Sequence, residues 1–319
     1  MMRSLLSAAR AALIVVSALL PGKAWATEAT TYPITIKHAF GTTVIEKKPV
    51  RIATVEWANH EVPLALGVVP VGMARANFGD DDGDGILPWN LARLKELHAK
   101  TPVLFDEGDG IDFEAVAAYE TVSQIAPVVA YPEAPYSTDW RETIRLDSKG
   151  MGMAEEGEAL IKKIESDIAA ALAGHPELKG KSAMFITHLN ATDLSIVNFY
   201  TTNDTRVKYF ADLGLTSPKS VVAASQPGKF SGSVSAEHVD SFDDVDILVT
   251  YGGQKLLDAL DANPLLSKMP AVANGSLVML GNNPIGNAAN PTPLSVSWVL
   301  KDYIALLSEA AKKSAKQSK

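Results

Sequence analysis

Residues 148–173 read SKGMGMAEEGEALIKKIESDIAAALA and carry the clearest helical periodicity in the chain. An apolar residue recurs at every fourth position and forms one stripe of a helix, at Leu160, Ile164, Ile168 and Leu172. Gly174 and Pro176 follow, and both are typical of a helix end. A helix of roughly 26 residues is about 39 Å long at 1.5 Å per residue. That length is typical of a helix that joins two lobes, so we expect residues 148–174 to be a linking helix.

Strands and helices alternate on both sides of this helix. Short runs rich in β-branched residues predict strands at 50–55, 69–73, 103–105, 125–131, 182–188, 194–199, 245–251 and 276–280. Amphipathic stretches predict helices at 112–124, 204–213, 254–262 and 294–311. Such alternation predicts parallel α/β layers. The predicted fold is therefore α/β, with an N-terminal lobe at 27–147 and a C-terminal lobe at 175–319 joined by one long helix, and with a ligand cleft between the lobes.

The first residues, 1–26, have the pattern of a secretory signal peptide. Arg3 and Arg10 are the only charges before an apolar run that ends at Leu20, and Ala24-Trp25-Ala26 has the small-x-small form that signal peptidase reads. A membrane span needs roughly 20 apolar residues, and this run has about half of that. We therefore expect cleavage after Ala26 and export of the mature chain.

The composition narrows the compartment and the class of partner. There is no cysteine, which excludes a lipid anchor at the cleavage site, disulfides and thiolate metal sites. An exported protein without a lipid anchor fits a Gram-negative periplasm. The formal net charge is −8, and an acidic surface without a basic stripe argues against nucleic acid and anionic lipid as partners.

Motifs that would indicate an enzyme or a resident cofactor are missing. The sequence contains no phosphate loop, no G-x-G-x-x-G, no H-E-x-x-H and no G-x-S-x-G. None of the 6 histidines lies three or four residues from another, so no helix presents a paired zinc site. We therefore predict a protein that is not an enzyme and has no cofactor, with a secreted hydrolase as a remote alternative.

One acidic loop has part of a calcium-binding pattern. Asp80, Asp82, Asp84 and Gly85 match positions 1, 3, 5 and 6 of an EF-hand loop. The twelfth position, which should supply a bidentate glutamate, is Leu91. The pattern therefore favours a solvated acidic loop over a calcium site.

Aromatic, basic and histidine side chains follow several predicted strands. Ligands of open α/β sheets bind at the carboxyl ends of the strands. Arginines at that edge suit a negative ligand, and aromatic rings can stack on it. For each of these residues the alternative is packing or an ordinary surface position. The candidate ligand-binding residues are Trp57, Arg75, Trp140, Arg145, His188, Tyr200 and Tyr251.

Four segments resemble a known family. They are HAFGTT at 38–43, KPVRIA at 48–53, NPLL at 263–266 and PAVANG at 270–275. In this order and spacing they resemble the periplasmic iron–siderophore and cobalamin binding proteins. The resemblance implies a monomer that binds a ferric siderophore and delivers it to the inner-membrane permease of an ABC importer. Haem, cobalamin or a bare metal ion remain alternative ligands within the same architecture.

The resemblance also implies a docking mechanism. In the family one glutamate on each lobe pairs with arginines of the permease, and the matching residues here are Glu114 in DFEAV and Glu237 in VSAEHV. Each glutamate also suits the first turn of a helix, where an acid favours the helix dipole.

The chain departs from the family pattern in two places. Roughly 15–20 residues that the family has after the Glu114 helix are missing, enough for one strand and its connection, so the first lobe is expected to be short by one strand. The loop 106–110 also lacks the arginine of hydroxamate binders, so no hydroxamate anchor is expected there.

Overall fold

The computed structural model describes residues 30–106 and 123–314. The first lobe begins with an antiparallel hairpin of β1 (Ile34–His38) and β2 (Gly41–Ile45). It continues with helix α1 (Glu61–Ala65), strand β3 (Gly72–Ala74), helix α2 (Pro88–Glu96) and strand β4 (Val103–Phe105). β3 and β4 pair in parallel, as the alternation of strands and helices predicts.

Two of the predicted first-lobe strands are wrong or much reduced. Of residues 50–55, Ala53 alone forms a ladder bridge, with Gly72. Residues 125–131 form no strand, although the Val128 carbonyl accepts a hydrogen bond from Thr43 and the Tyr131 carbonyl accepts one from Ala39. Pro127 has no N–H to donate to a ladder, so this segment lies along the hairpin without joining it.

The predicted helix at 112–124 and Glu114 fall mostly or wholly on residues 107–122, which lie outside the described residues. The expected loss of a first-lobe strand depends on the same segment and stays a prediction.

The periodic stretch 148–173 is not one helix, so this expectation was wrong. The structure has α3 (Trp140–Gly150) and then α4 (Ala154–Leu172). Asp139 caps α3, and its side chain accepts hydrogen bonds from the backbone N–H groups of Arg141 and Glu142. The break lies at Gly152, which has φ +69°, and a Cβ there would collide with the Tyr32 hydroxyl. Ile164 and Ile168 of the predicted stripe of α4 are buried, whereas Leu160 and Leu172 are only half-buried and Ile161 is buried instead.

The second lobe contains a five-stranded sheet in the order β7-β6-β5-β8-β9. Its strands are β5 (Ala183–Ile186), β6 (Ile196–Tyr200), β7 (Ser231–Ser235), β8 (Ile247–Tyr251) and β9 (Leu277–Leu280). β5, β8 and β9 are parallel, whereas β6 and β7 run antiparallel to their neighbours. Parallel layers therefore describe one half of this sheet only. The β7 strand was not predicted, because SGSVS carries little apolar signal.

Helices surround this sheet and complete the second lobe. They are α5 (Thr205–Asp212), α6 (Lys219–Ala224), α7 (Gln254–Ala262), α8 (Pro270–Ala273), α9 (Pro284–Ala288) and α10 (Pro293–Ser314). Three short 3₁₀ helices lie at Pro176–Leu178, Ala236–Phe242 and Leu266–Lys268. Strands and helices together form two α/β lobes, as the sequence predicts.

The last helix joins the lobes as well as α4 does. α10 packs against α4 and also against α1 and α2 of the first lobe. At its start, the buried carboxylate of Glu61 accepts hydrogen bonds from the N–H groups of Leu294 and Ser295 and from the Thr292 hydroxyl. A glutamate of α1, in the first lobe, therefore stabilises the positive end of the last helix of the second lobe. Within the described residues, no helix is long and apolar enough to cross a membrane.

Candidate functional site

An arginine and two tyrosines form a polar and aromatic cluster at the end of the second-lobe sheet. Tyr200 ends β6 and Tyr251 ends β8, and both rings are largely buried. The guanidinium of Arg206, from the first turn of α5, lies 4.1 Å from the Tyr200 ring centroid. Its Nε donates a hydrogen bond to the Tyr251 hydroxyl at 3.2 Å. Arg206 therefore holds both tyrosines with one planar group.

Asp204 fixes this arginine. Its carboxylate is fully buried, and Oδ2 lies 2.8 Å from Arg206 Nη1. The other oxygen, Oδ1, accepts the backbone N–H of Arg206 at 2.8 Å, so Asp204 is also the N-cap of α5. Burial alone would lower the pKa of Arg206, but Asp204, Tyr251 and Tyr200 together outweigh burial and raise that pKa. The arginine is therefore charged, with its counter-ion beside it.

His188 extends the cluster towards solvent. It follows β5, is exposed, and stacks on Tyr251 with 4.4 Å between ring centroids and 12° between ring planes. Burial of part of the ring, and then the positive charge of Arg206, lower the pKa of His188 below its ordinary value. His188 is therefore a neutral ring at neutral pH.

A first-lobe loop closes onto this cluster. The ring of Phe78 meets His188 and Tyr251 edge-on, with centroid distances of 5.7 and 5.5 Å. Two asparagine side chains of the second lobe bind the backbone of this loop. The Asn287 amide donates to the Phe78 carbonyl at 2.6 Å, and the Gly79 N–H donates to the Asn282 side-chain oxygen at 2.8 Å. The cluster thus lies where residues of both lobes meet.

A second contact between the lobes lies close to the same arginine helix. The rings of Tyr136 and Phe230 are 5.5 Å apart. Next to them, the ammonium of Lys208, on α5, donates to the Ser137 carbonyl at 2.6 Å. The arrangement offers aromatic faces and one buried ion pair, which suits binding rather than acid–base chemistry.

Sequence and structure comparisons identify relatives of this chain. The model of the family described as periplasmic binding protein matches residues 112–284. The chain belongs to this family. Structurally it is similar to Streptococcus pneumoniae PiaA in complex with ferrichrome, with 41% identity, a TM-score of 0.82, and coverage of 88% of this chain and 99% of that one.

Two curated proteins are also similar to this periplasmic binding protein. One is the probable siderophore-binding lipoprotein YfiY of Bacillus subtilis, 25% identical over 68% of this chain and 67% of YfiY. The other is the ferric enterobactin-binding periplasmic protein FepB of Escherichia coli, 25% identical over 85% of this chain and 91% of FepB. FepB is named for ferric enterobactin, PiaA is in complex with ferrichrome, and the name of YfiY gives no particular siderophore, so the comparisons leave the ligand of this chain open.

The structure brings together three of the seven predicted ligand-binding residues of this binding protein, namely His188, Tyr200 and Tyr251. Tyr200 reaches the cluster although β6 is antiparallel, because its ring packs 5.4 Å from Phe185 at the end of β5. Of the three residues, His188 and Tyr251 therefore lie at the carboxyl ends of parallel strands, and Tyr200 does not.

Two predicted residues lie elsewhere, on α3. Trp140 is 2% exposed, and its indole N–H donates to Asp212 at 2.9 Å, so it packs α3 against α5. Arg145 pairs with Glu158 of α4 at 2.7 Å. Both residues were predicted to line the cleft because they follow the segment 125–131, which was expected to be a strand. That segment is not a strand, so neither residue lies at the end of one.

The other two predicted residues are on the first lobe. Arg75 is exposed, and a Cβ built on Gly85 would lie 2.5 Å from its Nη1, so the guanidinium rests on the acidic loop. Trp57 is half-buried between Glu56 and Ala58, which both have positive φ values, of 65° and 63°. Neither contacts the tyrosines, although Arg75 is three residues from Phe78.

The acidic loop makes its own hydrogen bonds. Asp80 accepts from the N–H groups of Gly83 and Gly85 at 2.9 and 2.7 Å, and Asp84 accepts from Ile86 at 2.7 Å. One carboxylate oxygen from each of Asp80, Asp82 and Asp84 lies within 4.8 Å of the others. These hydrogen bonds are those of turns stabilised by aspartate side chains, and the preference for a solvated loop over a calcium site stays a prediction.

Arg206, Asp204 and Phe78 were missed by sequence reasoning. The signal for the first two was present, since Asp204-Thr205-Arg206 follows β6 and has the form of a capped helix start. An arginine in the first turn of a helix after a strand end points to the same edge as the strand itself. Phe78 could not be found this way, because its position depends on how one lobe meets the other.

Proposed function

We propose that this periplasmic binding protein is the substrate-binding component of an iron ABC importer and binds a ferric siderophore between its lobes. The observation that carries the proposal is the cluster of Arg206, Tyr200, Tyr251 and His188, with Phe78 added from the first lobe. The similarity to PiaA, a ferrichrome-bound protein in its crystal structure, supports the choice of ligand class.

The chemistry of a ferric siderophore matches this cluster. The chelate surrounds the iron with its own oxygens, so the protein needs to supply hydrogen-bond donors and packing surfaces rather than metal ligands. Arg206 can supply donors, because its Nη2 has no hydrogen-bond partner among the described residues. The aromatic faces can cover the organic scaffold at low cost in conformational entropy.

The remaining ligand classes fit the cluster less well. A bare metal ion needs three or four convergent protein ligands. Within residues 30–106 and 123–314, the group of carboxylates and histidines able to hold a metal is Asp80, Asp82 and Asp84, which does not include His188. Haem and cobalamin are large aromatic or macrocyclic ligands, and the aromatic rings would also suit them. They are therefore the second candidates.

A binding panel tests the ligand class. The mature protein, beginning at Thr27, is titrated with ferrichrome, iron-free ferrichrome, ferric enterobactin, haem, cobalamin and ferric chloride, and binding is followed by calorimetry. We expect a ferric siderophore to bind with a Kd between about 1 μM and 1 nM, which corresponds to roughly −8 to −12 kcal/mol. Binding of haem or cobalamin with no binding of any ferric siderophore would refute the proposal.

Docking to the permease is proposed to use Glu114 and Glu237. Glu237 is exposed at the start of the 3₁₀ helix Ala236–Phe242 and has no ion-pair partner in the described part of the chain. Exposed ion pairs contribute only about 0–1 kcal/mol each, so the two glutamates would set orientation more than affinity.

Charge reversal separates docking from ligand binding. We expect Glu114→Arg with Glu237→Arg to abolish siderophore-dependent uptake in cells while leaving the Kd for the siderophore unchanged. Asp240→Arg, another exposed acid on the same 3₁₀ helix, is the matched control and should leave uptake intact. Normal uptake by the double variant would contradict the docking role.

The compartment and the oligomeric state belong to the same proposal. Residues 1–26 are proposed to direct export to the periplasm, and N-terminal sequencing of the exported protein should begin at Thr27. The mature chain is proposed to be a monomer, which light scattering coupled to size-exclusion chromatography would measure directly.

A further inference from the structure

The charge of the binding cluster depends on one buried carboxylate. Asp204 is 0% exposed in its side chain and lies 2.8 Å from Arg206, whose own side chain is 12% exposed. The two opposite charges therefore cancel at the point where the cluster offers its arginine. An isolated arginine in this place would give the site a net positive charge, which a strongly anionic ligand would favour.

The N-cap role of Asp204 does not require that charge. Oδ1 alone caps α5, by accepting the Arg206 N–H, and asparagine caps a helix about as well as aspartate does. Among the described residues, the guanidinium is the one partner of Oδ2. Asp204→Asn would therefore keep the helix cap at Oδ1 and remove the negative charge that pairs with Arg206.

The surroundings do not restore a positive charge. His188 is neutral at neutral pH, because burial and Arg206 lower its pKa. Lys208 keeps its positive charge, because the Ser137 carbonyl that its ammonium contacts is neutral. On the first-lobe side, the loop that follows Phe78 contains Asp80, Asp81, Asp82 and Asp84, and Arg75 lies against it. Four acids against Arg75 and Lys208 leave the surroundings negative in sum.

We propose that Asp204 sets the charge preference of the cluster, so that the protein selects ferric chelates of low net charge over strongly anionic ones. The inference rests on the proposed function and adds the ligand class to it. Ferric iron is neutralised by three hydroxamates, whereas three catecholates leave a triply negative complex. Ferrichrome is of the first kind and ferric enterobactin of the second, so the pair of complexes distinguishes charge classes.

The test compares Kd values for these two complexes in the wild-type protein and in Asp204→Asn. We expect the wild type to prefer ferrichrome, and we expect the ratio of the ferric enterobactin Kd to the ferrichrome Kd to fall at least about tenfold in Asp204→Asn. Asp139→Asn, the same change at the N-cap of α3, is the matched control and should leave the ratio unchanged.

Each outcome decides a separate point. An unchanged ratio in a variant that still binds ferrichrome, or a wild type that prefers ferric enterobactin, would overturn the role of Asp204. Binding of neither complex by the wild type would instead refute the proposed function.

A measurement on the wild-type protein guards against misfolding of the variant. Any residual affinity for ferric enterobactin should not fall when ionic strength is raised tenfold, since the charges around the cluster are negative in sum. A steep fall with salt would contradict the proposal.

Discussion

Glu61→Ala tests how the first lobe is attached to the last helix. The Glu61 carboxylate is fully buried and accepts four hydrogen bonds, from Trp89, Thr292, Leu294 and Ser295. Without it, the Thr292 hydroxyl keeps the Ser295 hydroxyl as a partner, and the Ser295 N–H keeps Thr292. The Trp89 indole N–H and the Leu294 N–H lose their acceptor.

The magnitude follows from these two orphaned donors. A buried donor without a partner costs about 1–3 kcal/mol, so two of them predict a loss of about 2–6 kcal/mol in the free energy of unfolding. That is a large share of the roughly 5–15 kcal/mol that a native protein has. Burial raises the pKa of Glu61, although its hydrogen bonds act in the opposite direction. Because the folded state favours the protonated carboxyl, this shift makes the free energy of unfolding smaller as pH rises.

Urea unfolding at neutral pH, followed by tryptophan fluorescence, measures the loss. At an m-value of about 3 kcal/mol/M, the urea midpoint should fall by about 0.7–2 M. Glu96→Ala is the control, because Glu96 pairs with Arg93 on the surface with 65% of its side chain exposed, and it should change the free energy of unfolding by less than about 1 kcal/mol. Equal losses in the two variants would refute the reasoning.

Three further predictions concern the lobe contacts and pH. Burial lowers the pKa of His60 from 6.5 to about 4, so its contribution to the free energy of unfolding should be complete above pH 6.5. As pH falls towards 4, the free energy of unfolding should decrease by roughly 3 kcal/mol. His60→Gln should reduce this pH dependence in urea unfolding, and an unchanged pH dependence would contradict the prediction. Phe78→Ala removes two ring contacts between the lobes, each typically worth 0.5–1.5 kcal/mol, so it should lower the free energy of unfolding by about 1–3 kcal/mol and also weaken siderophore binding. Urea unfolding and calorimetry measure the two effects, and a variant with wild-type stability would contradict the contact. Gly79 has φ +80°, and a Cβ there would lie 2.5 Å from the Cβ of Asn287, so Gly79→Ala should separate this loop from the second lobe. A lower Tm and weaker siderophore binding would show that separation, and a variant with wild-type Tm and affinity would contradict it.

Periodic segments of the sequence predicted their elements well, because local pattern was enough to specify them. Residues 254–262 and 103–105 form the predicted helix and strand with the predicted bounds. Residues 204–213 and 294–311 were each predicted within three residues of the observed helix ends. In each of these segments the apolar residues recur with the period of one type of secondary structure, so the local sequence is enough to predict it.

Elements that depend on distant partners were not predictable in the same way. The break at Gly152 between α3 and α4 depends on backbone φ and on the position of Tyr32, more than 100 residues away in sequence. β1 and β2 were noticed through their family resemblance and not as a hairpin. The capping of α10 by Glu61 joins residues more than 200 positions apart.

The candidate site was predicted in part. Tyr200, Tyr251 and His188 were found because they follow strands, which is a local signal. Arg206 and Asp204 carry the electrostatics of the cluster, and their importance becomes evident only when the ion pair and the tyrosine contacts are seen together. The absence of an arginine from the loop 106–110 stays a sequence observation, since residues 107–110 lie outside the described residues, and the arginine of the cluster is on the other lobe.

Calorimetric titration of ferrichrome into the mature wild-type protein, Arg206→Gln and Arg145→Gln tests the central claim most directly. Arg206 lies among the tyrosines, whereas Arg145 pairs with Glu158 away from them. Loss of a charged hydrogen-bond donor typically costs about 1.5–3 kcal/mol, so Arg206→Gln should weaken binding roughly 10- to 100-fold, while Arg145→Gln should bind as the wild type does. Wild-type affinity in Arg206→Gln, or no heat of binding in any of the three proteins, would contradict the account.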